Sequence, residues 1–270
     1  MIDPGDPQQL AALLGRHRIT LKHRLGQNFL IDPLMRDAIA DAAGATREDL
    51  VLEVGAGVGT LTIALAQRAR RVVAVELDRD LLPALREVTR DAANIDIVEG
   101  DILRLDVSGD IVAGNIPYNL TGALIRNLLG PPRHGRAEVR PRRLSLVVQK
   151  EVAERWTAPT GASLATVAVQ VFAEAKILFT IPASSFEPAP KVDSALVVLE
   201  VRPKPAVDVD DFDAFFRFVE EVFQFRRKQL GGVLARRGFR GLPELGIDPA
   251  RRPQTLSLRE WEAIYRAVKS

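Results

Sequence analysis

The 270-residue sequence contains no cysteine and only three histidines. The absence of cysteine excludes disulfide bonds, thiolate metal sites and a cysteine nucleophile. His17, His23 and His134 lack the spacing of metal ligands, so we expect no metal site. The sequence also lacks a run of about twenty apolar residues, and its first residues lack the basic start and apolar core of a signal peptide. It therefore predicts a cytoplasmic protein with no membrane span.

Charge of neither sign dominates, since the formal net charge is +2, but the basic residues are clustered. The polar segment 1–30 has no long periodic apolar pattern and is interpreted as a basic N-terminal arm. Arg133–Arg143 holds five arginines, and Arg226–Arg240 holds six basic residues. A solvated charged face is the simpler interpretation of any one cluster, whereas three together favour phosphate contacts with nucleic acid. The candidate RNA-binding residues are Lys22, Arg142, Arg143, Arg226, Arg227 and Lys228.

Short apolar runs alternate with amphipathic stretches through the first two thirds of the chain. The predicted strands are Leu50–Val54, Arg71–Glu76, Ile95–Val98, Asp110–Ala113 and Leu144–Gln149. The predicted helices between them are Thr60–Arg68, Asp78–Arg90 and Ala123–Leu129. This order predicts an α/β fold with a Rossmann-like parallel sheet covered on both faces.

The pattern changes after residue 160. Thr166–Thr180 and Ala195–Val201 are interpreted as a terminal antiparallel strand pair, with a helical start to the first stretch as the alternative. Arg202–Pro205 has the composition of a linker. From Asp211 onward the periodicity is helical, with an apolar stripe formed by Phe212, Phe215, Phe216, Val219, Val222 and Phe223. We therefore predict a catalytic domain, residues 1–202, and a small all-helical domain, residues 203–270.

Glycines follow the first predicted strand, where the chain must turn into a helix. Gly55 and Gly57 would allow both a sharp turn and close approach of a ligand to the backbone, although a tight turn without a ligand is the alternative. Glu76 ends the next strand and could accept both ribose hydroxyls of a nucleoside, while Asp101 follows the third and could bind an adenine amino group. Because ligands of such sheets lie over the carboxyl ends of the strands, these residues together predict a nucleoside cofactor.

The segment Asn115-Ile116-Pro117-Tyr118 follows the fourth predicted strand. The Asn115 side-chain oxygen and the Pro117 carbonyl could each accept one hydrogen of an exocyclic amine and so direct its lone pair at a methyl donor. Proline fixes the backbone that presents this carbonyl, and Tyr118 offers an aromatic face for a base. A plain Asn-Pro turn is the alternative. With the glycine loop and the two acids, the segment predicts methyl transfer to an amino nitrogen by orientation and electrostatics.

These motifs resemble those of the ribosomal RNA adenine dimethyltransferase family, which includes kasugamycin-susceptibility and macrolide-resistance methyltransferases. The resemblance extends from about Gly26 to Ala267 and rests on Gly26–Leu30, Glu53–Gly59, Glu76–Asp78, Asn115–Tyr118, Gln149–Val152 and Phe186–Ser194. It implies S-adenosylmethionine as the cofactor, bound by Asn28, Leu30, Gly55, Gly57, Glu76, Asp101 and Asn115. It also implies that Phe186 stacks on the flipped target base opposite Tyr118, whereas without the resemblance Phe186 would be interpreted as a core or loop anchor.

Phe186–Ser194 and Gly246–Arg252 favour the small-subunit branch of that family. The implied reaction is dimethylation of N6 on two adjacent adenosines in the 3′-terminal hairpin loop of small-subunit rRNA, within the immature 30S particle. The protein would then be a monomer that takes part in ribosome biogenesis. Three alternatives stay open: a large-subunit (23S) rRNA methyltransferase of the macrolide-resistance type, a non-catalytic nucleic-acid-binding factor, and a DNA adenine methyltransferase.

Overall fold

Five of the predicted strands form the parallel part of a seven-stranded sheet. The computed structural model describes residues 2–22, 25–118, 120–130 and 140–269. The parallel strands are β2 (Leu50–Val54), β3 (Arg71–Glu76), β4 (Ile95–Glu99), β5 (Ile111–Asn115) and β6 (Arg143–Gln149). The antiparallel strands β7 (Ala173–Ile181) and β9 (Ser194–Val201) complete the order β4-β3-β2-β5-β6-β9-β7. The predicted Rossmann-like sheet with an antiparallel terminal pair is therefore confirmed.

The central parallel strands β2 and β5 are buried along most of their length because both faces of the sheet are covered there. Neighbouring residues of a strand point to opposite faces, and Val51 and Leu52 of β2 accordingly lie in two different hydrophobic clusters. Helices α2 (Pro33–Ala42), α3 (Thr60–Ala66) and α4 (Leu82–Thr89) contribute residues to the cluster around Val51. Helices α5 (Thr121–Leu129) and α7 (Leu164–Phe172) contribute to the cluster around Leu52.

The direction in which the chain adds strands reverses between β2 and β5. From β2 the chain proceeds outward through β3 and β4, and it then returns to place β5 on the other side of β2. Such a switch point opens a crevice at the carboxyl ends of the two central strands, where ligands of this class of fold bind. The glycine loop after β2 and the Asn115–Tyr118 segment at the end of β5 are thereby brought side by side.

The N-terminal arm contains a helix that the sequence analysis did not predict. Helix α1 spans Pro7–Arg16, and its N-cap Asp6 accepts a hydrogen bond from the backbone N–H of Gln9 at 2.9 Å. An aspartate cap followed by proline at the first helical position is a standard start signal. Leu10 and Leu13 are fully buried, in one cluster with Leu81, Ala84 and Val88. Two leucines three positions apart are too few to establish a helical periodicity, so the sequence pattern did not predict this helix.

A second short sheet joins distant parts of the chain. Strand β1 (Phe29–Leu30) pairs antiparallel with β8 (Phe186–Glu187), so that Leu30 lies opposite Phe186. The stretch Thr166–Thr180 begins as a helix, which was the alternative interpretation, because α7 precedes β7 in the chain. The N-cap Ser163 of α7 accepts a hydrogen bond from the backbone N–H of Thr166. Helices α2 and α6 (Lys150–Thr157) had not been predicted.

Three helices form the C-terminal region: α8 (Phe212–Phe223), α9 (Leu230–Ala235) and α10 (Leu258–Lys269). Helix α8 packs on α7, with the ring of Phe172 5.5 Å from that of Phe212 and 5.7 Å from that of Phe216. These helices therefore share a hydrophobic core with one face of the sheet, and the division into two domains at residue 202 stays a prediction. Within the described part of the chain, no helix is both long and apolar enough to cross a membrane.

Candidate active site

A cavity opens at the carboxyl ends of β2 and β5. Its lining includes every residue that the sequence analysis assigned to the cofactor or to the target base: Asn28, Leu30, Gly55, Gly57, Glu76, Asp101, Asn115, Pro117, Tyr118 and Phe186. These residues come from six separate segments of the chain. Their roles stay predictions, but the structure brings them to one place.

The glycine loop needs glycine chiefly for its backbone conformation. Gly55 and Gly57 adopt φ angles of 76° and 60°, in the left-handed region that glycine tolerates best. A side chain at Gly55 would lie 3.5 Å from the ring of Pro117, and one at Gly57 would lie 3.3 Å from the ring of Phe29. The loop therefore keeps its backbone exposed toward the cavity.

Glu76 presents a carboxylate that the backbone holds in place. The residue is only 7% exposed; its Oε2 accepts from the N–H of Gly57 and its Oε1 from the N–H of Asp78, both at 2.7 Å. Burial raises the pKa of Glu76, and the backbone donors act in the opposite direction. Each oxygen can accept a further hydrogen bond, so the group suits a pair of hydroxyls such as a ribose diol.

Glu53 lies near the end of β2, and the motif that contains it does not by itself predict a role for its side chain. It lines the cavity and is 1% exposed, and no described atom forms a hydrogen bond with its Oε2. Burial raises its pKa from 4.5 to about 8; the nearby Thr62 hydroxyl opposes this increase, and the charge of Glu76 adds to it. Near neutral pH, Glu53 is therefore a neutral acid that can donate a hydrogen bond. Its position directly before the glycine loop was the only signal for this in the sequence.

The amide of Asn115 is fixed at the end of β5. Its Nδ2 donates to the backbone carbonyl of Asn28 at 2.8 Å. Because a carbonyl oxygen can only accept, this contact determines which end of the planar amide is the nitrogen. The side-chain oxygen of Asn115 is thus the group left to accept a hydrogen from a ligand in the cavity.

The rest of the predicted catalytic segment is also ordered. The Pro117 carbonyl accepts the N–H of Leu120 at 2.8 Å, and its second lone pair remains for an amino hydrogen. The hydroxyl of Tyr118 forms a hydrogen bond with the hydroxyl of Ser194 at 2.9 Å. Burial raises the pKa of Tyr118, and the bond to Ser194 opposes the increase. Ser194 is the last residue of the Phe186–Ser194 motif and the first of β9. Its contact with Tyr118 therefore fixes the tyrosine ring against β9.

Phe186 and Asp101 both line the cavity in different surroundings. Phe186 is 2% exposed and belongs to the core cluster that includes Leu30, so it anchors the core as well as forming part of the cavity wall. Asp101 accepts the N–H of Leu103 on Oδ1 at 3.0 Å, and its Oδ2 lies 3.5 Å from the guanidinium of Arg104.

The six candidate RNA-binding residues divide into two sets. Lys22, Arg142 and Arg143 form ion pairs with carboxylates of the protein itself, on Asp78 and Asp80, Asp49, and Glu200 respectively. Arg226, Arg227 and Lys228 follow α8 in an exposed turn, and no carboxylate of the described residues pairs with them. The predicted contributions of Arg133, Arg136 and Arg24 lie outside the described residues. Among the residues that the structure describes, no group of three or more His, Cys, Asp or Glu side chains is arranged to hold a metal ion.

Comparison with known proteins gives a consistent result. The family model described as Ribosomal RNA adenine dimethylase matches residues 18–268. The chain is 43% identical to Ribosomal RNA small subunit methyltransferase A of Pelotomaculum thermopropionicum, over 98% of this chain and 97% of that protein. It is 36% identical to the protein of the same name from Geobacillus thermodenitrificans, over 98% and 97%.

Two solved methyltransferase structures are similar to this chain in fold. The structure of the 23S rRNA methyltransferase ErmE matches with a TM-score of 0.70 and 28% identity, over 90% of this chain and all of that one. A dimethyladenosine transferase from Plasmodium falciparum matches in fold with a TM-score of 0.72 and 24% identity, over 88% and 97%.

Proposed function

The chain belongs to the ribosomal RNA adenine dimethylase family, and from this premise we propose that it transfers methyl groups from S-adenosylmethionine to N6 of adenine in small-subunit rRNA. The observation that carries the proposal is the single cavity at the β2–β5 switch point. There a hydroxyl-binding carboxylate and an amine-orienting Asn-Ile-Pro-Tyr segment meet.

The donor set of the cavity fits S-adenosylmethionine. When bound, this cofactor supplies a methyl group on a positively charged sulfur. Glu76 would accept the ribose hydroxyls and Asp101 the adenine amino group. The backbone around Gly55 and Gly57 allows close approach, and the further residues proposed to contact the cofactor are Asn28, Leu30 and Asn115.

The target amine needs orientation more than a strong base. Its lone pair is delocalised into the adenine ring, so the nitrogen must become more tetrahedral before it attacks. Asn115 Oδ1 and the Pro117 carbonyl would each accept one amino hydrogen and stabilise that geometry. The proton leaves after the nitrogen has become cationic. Tyr118 and Phe186 would offer aromatic faces to a base brought out of its stack, which offsets part of the cost of unstacking.

The identity of the substrate rests on similarity. Identity to the small-subunit enzymes, 43% and 36%, exceeds the 28% identity to the 23S enzyme ErmE. We therefore propose the immature 30S particle as the substrate. We also propose that the enzyme acts as a monomer in the cytoplasm. Its product would carry N6,N6-dimethyladenosine at two adjacent positions of the 3′-terminal hairpin loop.

We propose the turn after α8 as an RNA contact, because Arg226, Arg227 and Lys228 place three exposed cations next to one another. Cations already paired with carboxylates would have to give up those contacts to bind phosphate, so Lys22, Arg142 and Arg143 are weaker candidates.

Labelled S-adenosylmethionine tests the function against its alternatives. The protein is incubated side by side with immature 30S particles, with 23S rRNA and with duplex DNA, and the labelled nucleoside is identified. We expect label in N6,N6-dimethyladenosine of the 30S particle alone. Label in 23S rRNA or in DNA would assign the enzyme to another substrate class. Binding of cofactor and RNA without any label would indicate a non-catalytic factor.

A further inference from the structure

The hydrogen bond that orients Asn115 depends on a segment far away in sequence. The carbonyl that receives the Asn115 amide belongs to Asn28, in the connection between α1 and β1. A carbonyl can direct an amide only if its own position is fixed. The neighbours of Asn28 show what fixes it.

Both polar atoms of the Gln27 side-chain amide form hydrogen bonds within the protein. Its Oε1 accepts the backbone N–H of Lys22 at 2.7 Å, and its Nε2 donates to Asp78 Oδ2 at 2.7 Å. The other oxygen of Asp78 accepts the Lys22 ammonium at 2.5 Å, and that ammonium also pairs with Asp80 at 2.6 Å. Asp78 is only 4% exposed, so it is a firm anchor for the residue before Asn28.

Asp78 also contacts the proposed cofactor site. Its backbone N–H donates to Glu76 Oε1, while its carboxylate receives Gln27. One residue thus connects the carboxylate proposed to bind ribose with the segment that orients the proposed catalytic amide. Gln27 itself lines the cavity, and a connection of this kind through hydrogen bonds can fix the geometry of the reacting groups.

We propose that Gln27 is a positioning residue, anchored by Asp78, that holds the Asn28 carbonyl against the Asn115 amide. The proposal rests on the proposed function. When Gln27 is replaced, the Asn28 carbonyl loses its restraint on the N-terminal side, while the pairing of β1 with β8 still holds the residues after it. The Asn115 amide can then turn its nitrogen toward the target amine. The backbone donors of Glu76 come from Gly57 and Asp78, so they remain.

The direct test uses Gln27→Ala and the isosteric Gln27→Glu, which places a second carboxylate against Asp78. At saturating cofactor and 30S particle, we expect the rate of methyl transfer to fall about tenfold or more, since small misplacements at a reacting centre are costly. Cofactor affinity should change less than about threefold. Gln9→Ala is the matched control, because Gln9 is exposed and its side-chain oxygen accepts the backbone N–H of Asp3, away from the cavity. It should keep the wild-type rate.

A double variant separates positioning from general damage. If Gln27 acts through Asn115, Gln27→Ala combined with Asn115→Ala should be no slower than Asn115→Ala alone. Multiplied effects would overturn the proposal, as would a wild-type rate in Gln27→Ala.

A readout without substrate keeps this result distinct from failure of the proposed function. In NMR spectra, the Asn115 side-chain amide protons should lose protection from exchange in Gln27→Ala but not in Gln9→Ala. Unchanged protection would contradict the proposal even if the wild-type enzyme methylates rRNA. Absence of label from the wild-type enzyme would instead count against the function itself.

Discussion

At the scale of single residues, the site depends on atoms whose hydrogen bonds are already assigned within the protein. Asn115 commits its nitrogen to Asn28 and leaves its oxygen for a ligand, and Glu76 is held by two backbone donors. Fixed donors and acceptors need no reorganisation when charge develops in a transition state. The chemistry proposed for the cavity is accordingly one of orientation.

Asn115→Ala removes an acceptor that the proposed mechanism needs chiefly in the transition state. We expect the saturated rate of methyl transfer to fall about a hundredfold or more, while cofactor affinity falls less than about tenfold. The matched control is Asn94→Ala, because Asn94 bonds to the carbonyls of Ala66 and Ala69 and does not line the cavity. A near-normal rate in Asn115→Ala would show that the orientation argument is wrong.

Glu53 makes the stability of the protein dependent on pH. Its pKa is about 8 in the folded chain, against 4.5 for the ordinary group, so the folded state binds more protons between these values. The stability associated with the protonated acid is present below about pH 4.5 and is lost as the pH rises through about 8. Glu53→Gln cannot ionise, so it should gain about 3 kcal/mol relative to the wild type between pH 5 and pH 8.

Urea denaturation at the two pH values measures this difference. The control is Gln67→Ala, an exposed substitution that changes no titratable group, and its difference from the wild type should be the same at pH 5 and pH 8. If Glu53→Gln behaves like this control, the acid is not buried in its neutral form.

At the scale of secondary structure elements, the sequence predicted best the strands whose two faces are both buried. Leu50–Val54 and Arg71–Glu76 were predicted with their observed ends, because a strand buried on both faces is a continuous apolar run bounded by polar residues or glycine. Helix α1 was missed because its buried face consists of only two leucines, and its stability comes from packing on residues far along the chain. The pairing of β1 with β8 joins two-residue strands, which carry no periodicity at all.

The turn after α8 is the element through which we expect RNA affinity to be measurable. Replacing Arg226, Arg227 and Lys228 together by glutamine should make the dependence of log affinity on log salt shallower by about 2, since each phosphate contact contributes about 0.7. Affinity for the 30S particle at physiological salt should fall at least about tenfold. Cofactor affinity should not change, because none of the three lines the cavity.

A double substitution of Arg86 and Arg90 by glutamine is the control for general loss of charge, since both are exposed cations at α4. It should leave the salt dependence close to that of the wild type. Equal effects of the two substitutions would show that the turn has no special role.

At the scale of the whole molecule, the strand order explains why four of the six segments of predicted site residues in the cavity could be assigned to one site from the sequence. Asn28, Leu30 and Phe186 were assigned by family resemblance alone. The carboxyl ends of parallel strands meet at one edge, so the glycine loop, Glu76, Asp101 and Asn115 could be placed there by their positions after strands. The contacts of Gln27 with Asp78 and of Tyr118 with Ser194 could not be predicted, because each joins side chains more than fifty positions apart. The small-subunit substrate is likewise an inference from similarity rather than from the geometry of the cavity.

The most direct measurement of the central claim is mass spectrometry of the 3′-terminal rRNA fragment from immature 30S particles treated with the protein and S-adenosylmethionine. We expect two adjacent adenosines that each gain two methyl groups on N6, and a gain about a hundredfold slower with Asn115→Ala. An unmodified fragment from particles treated with wild-type protein that binds the cofactor would contradict this expectation, as would methyl groups placed on any other atom.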